Sequence, residues 1–338
     1  MKRKLTHIFR WDLDKTYLDT DFDSIRALIR IAFEKAEEKR TLPGAAALMR
    51  ALKSGPSGAQ HRIEVLSGSP EQMRRVLIKK FRLDGVEIDG LTLKDNLKNV
   101  VRGRFRAVRD QIGYKLPALL ESRLTVDPSV REICFGDDSE TDAIVYRLYA
   151  DLCAGRISDD VLESILDAAR LYPDQQTRVW EALRTLPRID PVDRILIHLE
   201  GHTPTVQFHA LGERVLPIFN AFQSSLVLVG DGILSMDALD DIVHSMVVQH
   251  EYTPRRLANS MEDAMRRGLI PLPLAMDVSE TLKLQVRPQR VATQSQETVL
   301  DYPVLITLAH QRREEHARQM RKPTMREFLF GKRESDKS

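Results

Sequence analysis

The chain has 338 residues, of which 42% are hydrophobic and 30% charged, enough apolar material for two domains or one elaborated domain. Its 51 basic and 49 acidic side chains leave a net charge of +2, which does not indicate a strong attraction to nucleic acid or a membrane surface. The two cysteines, Cys134 and Cys153, follow no metal-binding spacing and fit a reducing cytosol.

The beginning of the sequence is basic but lacks the apolar core of a signal peptide, because Arg10, Asp12 and Asp14 interrupt its first hydrophobic run. No stretch of about 18 apolar residues predicts a transmembrane helix. We therefore expect a cytoplasmic protein without a membrane-spanning segment. The sequence does not indicate an oligomeric state.

Short apolar runs predict strands, and segments with helical spacing predict helices between them. The strands are predicted at residues 5–11, 63–66, 132–135 and 194–199, with 226–229 as a further strand or a buried run. The helices are predicted at 24–39, 45–53, 71–81, 104–112, 115–124, after 138, and at 158–172, 175–186, 211–222, 235–249, 257–267 and 302–319. Ser69 is expected to cap the helix at 71–81. This alternation predicts an α/β fold with a doubly wound parallel sheet, followed by an additional helical C-terminal region.

The most informative segment follows the first predicted strand, where Asp12 and Asp14 stand one residue apart and Thr16 comes two residues later. Side chains alternate along a strand, so the two carboxylates point to the same side. One carboxylate can attack a phosphorus atom, while the other delivers and recovers a proton. The spacing therefore indicates phosphoryl transfer through an aspartyl-phosphate intermediate.

The second predicted strand ends at Ser67 and Gly68, and Lys115 stands at the start of a later helix. A parallel sheet gathers such strand ends along one side, where open α/β sheets bind their ligands. A hydroxyl and an ammonium can bind the transferring phosphoryl oxygens, and a glycine lets backbone N–H groups approach an anion. We expect Ser67, Gly68 and Lys115 to serve in this way, with Lys94 as the rival lysine.

The same side of the sheet carries oxygen ligands for a hard cation. Asp12, the backbone carbonyl of Asp14, and an acidic residue at 137–138 favour Mg²⁺ with several bound waters. A cation is needed because an anionic nucleophile must approach an anionic phosphate. Asp137 is the first choice for this ligand and Asp138 is its competitor, while Asp142 is expected to orient Lys115 or a metal-bound water.

The order of these segments resembles the four motifs of the haloacid dehalogenase superfamily of phosphohydrolases. The match extends to Pro43-Gly44, Ser67 to Pro70, Leu93 to Asp95, Gly136 to Tyr146 and Gly155 to Ile157. Over about residues 5–157, these segments look like the catalytic domain of the actin-patch-type phosphatidate phosphatases and their bacterial relatives. The resemblance implies Asp12 as the nucleophile and Asp14 as the general acid and base.

The resemblance also suggests a division of the chain. We expect a haloacid dehalogenase-like catalytic domain at 1–157, completed by a strand at 193–200, a mainly helical accessory region at 158–309, and a basic, partly disordered tail at 310–338. Two residues depart from the family pattern: Lys15 stands where a small or acidic residue is usual, and Asp138 stands where a serine is usual.

A second segment imitates the last motif. Gly230-Asp231-Gly232 follows the apolar run at 226–229, and Asp237 comes shortly afterwards. Asp137 follows Lys115 after a span that fits one helix and one strand, whereas Asp231 comes much later in the chain. We therefore favour residues 136–142 as the motif; if Gly230–Asp237 were the motif, the domain would contain a large insertion.

Other candidate residues have ordinary structural explanations. Trp11 either walls the pocket or packs in the core. The basic residues after 311 are interspersed with glutamates, which is typical of a solvated helix face. Five histidines show no spacing typical of a metal site: His198, His202, His209, His244 and His250.

These observations predict a Mg²⁺-dependent phosphatase that hydrolyses a phosphomonoester. Neither of the two spans between the first three motifs can hold a large cap domain, so an uncapped site can admit bulky substrates. The resemblance implies that the substrate is phosphatidate-like. Two alternatives stay open: a non-catalytic scaffold that binds a phosphorylated ligand and uses its helical region to bind a partner, and a phosphotransferase that uses an alcohol as acceptor.

Overall fold

The computed structural model describes residues 4–19, 36–55, 59–94, 111–138, 141–200, 203–289 and 300–319, without the side chains of residue 38 and residues 313–319. Six strands form one parallel sheet in the order β3-β2-β1-β4-β5-β6. The strands are β1 (Lys4–Asp12), β2 (Ala59–Pro70), β3 (Gly90–Lys94), β4 (Arg131–Asp137), β5 (Val192–His198) and β6 (Val215–Ile218).

Helices cover both faces of this sheet, which confirms the predicted doubly wound α/β fold and its helical C-terminal region. The α-helices of the described residues are α1 (Ala45–Ser54), α2 (Arg74–Leu83), α3 (Ile112–Leu124), α4 (Asp142–Cys153), α5 (Asp159–Ala168), α6 (Pro173–Thr185), α7 (Ala221–Gly230), α8 (Met236–His250), α9 (Pro254–Arg266), α10 (Leu272–Thr281) and α11 (Tyr302–Gln319). Short 3-10 helices lie at Ala36–Glu38, Glu71–Met73 and Thr205–Leu211.

The strand residues divide by alternation between two hydrophobic cores. Trp11 and Phe135 belong to the core that α1, α2 and α7 to α10 cover, which we call the Trp11 face. Cys134 and Ile195 belong to the core that α3 to α6 and α11 cover, which we call the Lys115 face because Lys115 lies on α3. Apolar side chains on both sides of the central strands are what a fully covered parallel sheet requires.

Strands β5 and β6 extend the sheet beyond residue 157. The strand expected at 193–200 is β5, which pairs with β4 in parallel. The sheet that contains β1 therefore includes strands as far along the chain as residue 218. The predicted domain boundaries stay a prediction.

Two parts of the sequence-based assignment are wrong. Residues 211–222 do not form a helix: they contain β6, whose Pro217 is tolerated because β6 is an edge strand. Residues 226–229 form a buried helix, not a strand. Asn220 caps that helix by accepting a hydrogen bond from the Gln223 N–H at 3.0 Å, and burial on nearly all sides removes the polar face that would reveal its period.

Two further elements, β3 and α10, were not predicted. The other strands and helices that lie within the described residues agree with prediction to within about one helical turn. The predicted helices at 24–39 and 104–112, and residues 320–338 of the predicted tail at 310–338, lie wholly or largely outside the described residues.

A buried charged network ties three parallel strands together below the carboxyl end of the sheet. Arg10 on β1 donates to Glu132 on β4 at 2.6 Å and to Glu64 on β2 at 2.7 Å. Glu132 is fully buried and also accepts hydrogen bonds from Arg123 and the Tyr149 hydroxyl. Burial is the largest single influence and opposes ionisation of Glu132, but the charge and hydrogen bond of Arg10, the charge of Arg123 and the hydrogen bond from Tyr149 together lower the Glu132 pKa below its ordinary value.

We expect Glu132→Gln to destabilise the fold by about 3–5 kcal/mol at neutral pH, because it leaves Arg10 buried with less compensation. Since the pKa of Glu132 is lower in the folded state, its contribution is present above its ordinary value of 4.5 and is lost as the pH falls. Denaturant unfolding of both proteins at several pH values measures this difference, which should shrink in acid. The matched control is Glu121→Gln, which removes an exposed ion pair with Arg178 and should cost about 0–1 kcal/mol. Equal losses for the two variants would contradict the assigned role of the network.

Candidate active site

The first predicted carboxylate ends β1, and the second lies in the tight turn that follows. Asp12 is the last residue of β1 and is buried, as is Asp14. In the turn, the Lys15 N–H donates to the Leu18 carbonyl at 2.8 Å, and Lys15 adopts a left-handed conformation with a φ of 57°. The chain therefore turns back immediately after the strand and keeps Asp14 close to the carboxyl edge of the sheet.

Two serines at the end of β2 hold the Asp14 carboxylate. The hydroxyls of Ser67 and Ser69 each lie 3.3 Å from Asp14 Oδ2, and Ser67 Oγ also accepts from the Ser69 N–H at 3.0 Å. Ser69 was expected to cap a helix, but β2 continues to Pro70, and its alternation brings both serine side chains to the same side. A Cβ at Gly68 would lie 2.8 Å from Gln111 Nε2, so the glycine allows Gln111 to approach.

Lys115 is the lysine that contacts the predicted nucleophile. It is fully buried near the start of α3, and its Nζ lies 2.8 Å from Asp12 Oδ1 and in a short contact with Asp142 Oδ1. The rival, Lys94, ends β3 and has its Nζ 5.7 Å from the centre of the Tyr114 ring. The structure thus places the ammonium of Lys115 between two carboxylates at the sheet edge.

The last motif brings a third and a fourth carboxylate to this edge. Asp137 ends β4 and Asp142 begins α4, and the Asp137 N–H donates to Asp142 Oδ2 at 3.4 Å. A Cβ at Gly136 would lie 2.5 Å from Asp142 Oδ2, so only glycine leaves room for this carboxylate. One carboxylate oxygen from each of Asp12, Asp137 and Asp142 lies within 4.8 Å of the others, and all three residues are buried.

Asp138, the competitor of Asp137, is directed elsewhere. Its N–H donates to the His198 carbonyl at 3.0 Å, and its Oδ2 accepts from the Thr203 N–H at 2.8 Å. Asp138 thus connects β4 to the segment that follows β5. The third carboxylate near Asp12 and Asp137 belongs to Asp142 instead. Because Asp137 and Asp138 are adjacent in the sequence, their positions alone could not show which residues form the cluster.

The segment that imitates the last motif lies near the amino-terminal ends of the strands, whereas the acidic site lies at their carboxyl ends. Asp231 follows α7 and forms an ion pair with Arg194 at 2.8 Å. Arg194 stands near the beginning of β5, whereas Asp137 pairs in register with His198 at the end of that strand. Gly230–Asp237 is therefore separated from the acidic cluster by the length of β5.

The two remaining predicted residues, Thr16 and Trp11, flank the site. Thr16 is buried in the turn two residues after Asp14, and its Oγ1 has no hydrogen-bond partner among the described residues. Trp11 packs in the core, where its ring stacks on Phe135 with the centroids 4.0 Å apart, and it also lines a cavity beside the site. The core packing expected as one alternative for Trp11 is therefore observed, while a role in walling the substrate pocket stays a prediction.

The site concentrates negative charge in a buried place. Four carboxylates, those of Asp12, Asp14, Asp137 and Asp142, share this edge with the ammonium of Lys115. Burial and then the charge of Asp142 raise the pKa of the neighbouring Tyr146 well above its ordinary value. This excess of acidic groups fits a site that binds cations, and its oxygen donors are hard ligands.

The fold is a doubly wound parallel α/β sheet, and the site gathers four carboxylates and one ammonium at the carboxyl ends of its strands. Residues 11–161 match the family model described as the catalytic domain of phosphatidate phosphatase APP1, and this similarity supports a phosphatase. The resemblance predicted from the sequence is thereby confirmed. No curated protein and no solved structure matches the chain. Across the part of the chain that the structure describes, no helix is both long and apolar enough to span a bilayer.

We expect Gly136→Ala to reduce phosphatase activity about 100-fold or more, because its Cβ must displace Asp142 and disturb the contact with Lys115. Steady-state hydrolysis of an aryl phosphate measures the effect. Gly90→Ala is the matched control: it changes another strand glycine, whose added Cβ would meet Glu64 at an ordinary 3.4 Å. Activity of Gly136→Ala at the level of the control would contradict the importance of this close approach.

Proposed function

We propose that this protein hydrolyses phosphomonoesters through a covalent aspartyl-phosphate on Asp12. The observation that carries this proposal is the convergence of two differently held carboxylates at one sheet edge. Asp12 accepts a hydrogen bond from the charged ammonium of Lys115, whereas Asp14 accepts hydrogen bonds from two neutral serine hydroxyls. Such a pair suits a nucleophile and a proton carrier, because the two carboxylates need different environments.

In the first step, a carboxylate oxygen of Asp12 attacks phosphorus, and the bond from phosphorus to the ester oxygen breaks. Asp14 in its protonated form gives its proton to the departing alkoxide, so that a neutral alcohol leaves. In the second step, the ionised Asp14 takes a proton from water, the water oxygen attacks phosphorus, and the bond from phosphorus to the Asp12 oxygen breaks, which releases phosphate and regenerates the Asp12 carboxylate. Asp14 is then protonated again and ready for another cycle.

Ser67, Thr16 and Lys115 are proposed to bind the phosphoryl oxygens during these steps. The Ser67 hydroxyl lies beside the Asp14 carboxylate, and the buried Thr16 hydroxyl lies in the turn that carries Asp14. Lys115 has an additional role: its position between Asp12 and Asp142 holds the nucleophile in place before the substrate binds. Groups fixed in this way need little rearrangement when charge develops on the phosphoryl group.

The proposal includes Mg²⁺, which Asp12, Asp137 and the backbone carbonyl of Asp14 would hold, with Asp142 nearby. When bound, the ion would offset the negative charges of the nucleophile and the phosphate. The donor set fits a hard cation because all of its atoms are oxygens.

We expect Asp14→Asn to release one equivalent of nitrophenol per enzyme in a rapid burst from 4-nitrophenyl phosphate. Nitrophenolate leaves without needing a proton, whereas hydrolysis of the intermediate needs the base, so later turnover should slow by about 10²–10⁴-fold. Stopped-flow absorbance measures both phases. Asp12→Asn is the matched control and should show neither a burst nor turnover. A burst from Asp12→Asn, or unchanged turnover by Asp14→Asn, would overturn the assignment of roles.

We expect EDTA to abolish turnover and Mg²⁺ to restore it. Asp137→Asn should raise the half-saturating Mg²⁺ concentration by about 10–100-fold, because it removes a charged ligand. Asp138→Asn should raise it much less, since Asp138 bonds to the Thr203 N–H. Titration of activity with Mg²⁺ distinguishes the two aspartates. A larger effect at Asp138, or full activity in EDTA, would contradict the proposed metal site.

The name of the matching family favours a phosphatidate-like substrate. A comparison of phosphatidate with nucleotides and sugar phosphates tests this choice. Strong competition between added alcohols and water for the phosphoryl group would instead favour the phosphotransferase.

A further inference from the structure

A cavity of about 190 Å³ lies on the Trp11 face of the sheet, beside the acidic site. Its walls come from β1, β4, β5, β6, α1 and α7, together with the segment that follows α8. Apolar and aromatic wall residues include Trp11, Ala45, Leu48, Phe135, Leu196 and Tyr252. Engineered apolar cavities of about 150 Å³ bind benzene, so this space is large enough for an aromatic ring or a short alkyl group.

The cavity is a half-open pocket and not a closed void in the core. Its walls are also held firmly: Trp11 stacks on Phe135, and His198 places its ring nitrogens 3.1 Å from the Lys15 carbonyl and 3.3 Å from the Phe219 carbonyl. The space is therefore preformed, as ligand pockets usually are.

The position of the cavity connects it to the phosphoryl chemistry. Two of its lining residues, Trp11 and Gly136, directly precede Asp12 and Asp137 in the chain. A third, Thr16, belongs to the turn that carries Asp14. Because side chains alternate along a strand, Trp11 and Asp12 point to opposite faces, so a group attached to a phosphate at Asp12 would have to pass the carboxyl ends of the strands beside Thr16 to reach the cavity.

One lining residue also carries a buried hydrogen-bond donor that the proposed chemistry does not use. Trp11 is 2% exposed, and its Nε1 has no hydrogen-bond partner within the described residues. A buried donor without an acceptor is costly and uncommon, and a ligand oxygen is one way to satisfy it. The chemistry of the cavity thus suits an apolar group that contains an acceptor oxygen.

We propose that this cavity is a binding subsite for the apolar, oxygen-bearing group next to the phosphate of the substrate. This inference rests on the proposed function, since it assumes that the phosphate of the same molecule is held at Asp12. The subsite gives the enzyme a preference for phosphomonoesters whose alcohol part is an aryl or short acyl-like group, over those with a small polar alcohol.

The test compares the affinity of benzylphosphonate and methylphosphonate, which cannot be hydrolysed, by calorimetric titration of the full chain with Mg²⁺ present. Wild-type protein should bind benzylphosphonate about 10-fold more tightly or better, as expected for an apolar group in a fitting pocket. Ala45→Leu fills the cavity and should remove this preference. Ala51→Leu on the same helix does not line the cavity and should keep it.

Ser224→Val is a second filling variant, on α7, in case Ala45→Leu does not fold, which circular dichroism will show. Trp11→Phe preserves an aromatic ring next to Phe135 but removes the N–H. The Trp11→Phe protein should bind phenacylphosphonate, which has a carbonyl oxygen, about 5-fold more weakly than wild type does. Its affinity for benzylphosphonate should be almost unchanged.

Equal wild-type affinity for benzylphosphonate and methylphosphonate would overturn the subsite, as would a preference that persists in folded filling variants. These outcomes are separate from failure of the proposed function. If the preference behaves as expected but no phosphomonoester is hydrolysed, the subsite stands and the hydrolase assignment is wrong. If phosphomonoesters are hydrolysed but no preference is found, the reverse holds.

Discussion

The ammonium of Lys115 between Asp12 and Asp142 is the interaction on which the site depends. Both carboxylates are buried, and a buried charge is tolerated only when an opposite charge or good hydrogen bonds compensate it. The lysine therefore allows two acidic side chains to stand together before any cation or phosphate arrives. Its own burial depends in turn on both aspartates, so the three groups form one unit.

The parallel sheet makes this unit possible by bringing distant segments to a common edge. Asp12 and Asp137 end adjacent strands, and Ser67 lies near the end of β2, on the other side of β1. The charged network of Arg10 and Glu132 fixes the same strands to each other below the site. The glycine at 136 adds a local condition, because a side chain there would occupy the place of the Asp142 carboxylate. Position thus comes from the sheet, and charge balance comes from Lys115.

Much of this arrangement could be predicted from the sequence because strand ends are marked by both pattern and chemistry. The apolar runs before Asp12, Ser67 and Asp137 identify buried strands, and the polar residues after them mark one edge. From the sequence, Asp142 is expected to orient Lys115 or a metal-bound water. Membership of Asp142 instead of Asp138 in the acidic cluster could not be predicted, because it depends on the close approach at Gly136 and on the hydrogen bond from the Asp138 N–H to the His198 carbonyl. Residues 221–230 were hidden for another reason: a helix buried on nearly all sides shows no polar face.

A covalent bond between an Asp12 oxygen and phosphorus would distinguish a hydrolase of this kind from a scaffold that only binds a phosphorylated ligand. The most direct measurement is peptide mass spectrometry of the Asp14→Asn protein, acid-quenched shortly after mixing with 4-nitrophenyl phosphate. The account predicts one phosphoryl group on the peptide that contains Asp12, located at that residue by fragmentation. A phosphoryl group on another residue, or rapid release of nitrophenol without any phosphorylated peptide, would contradict it.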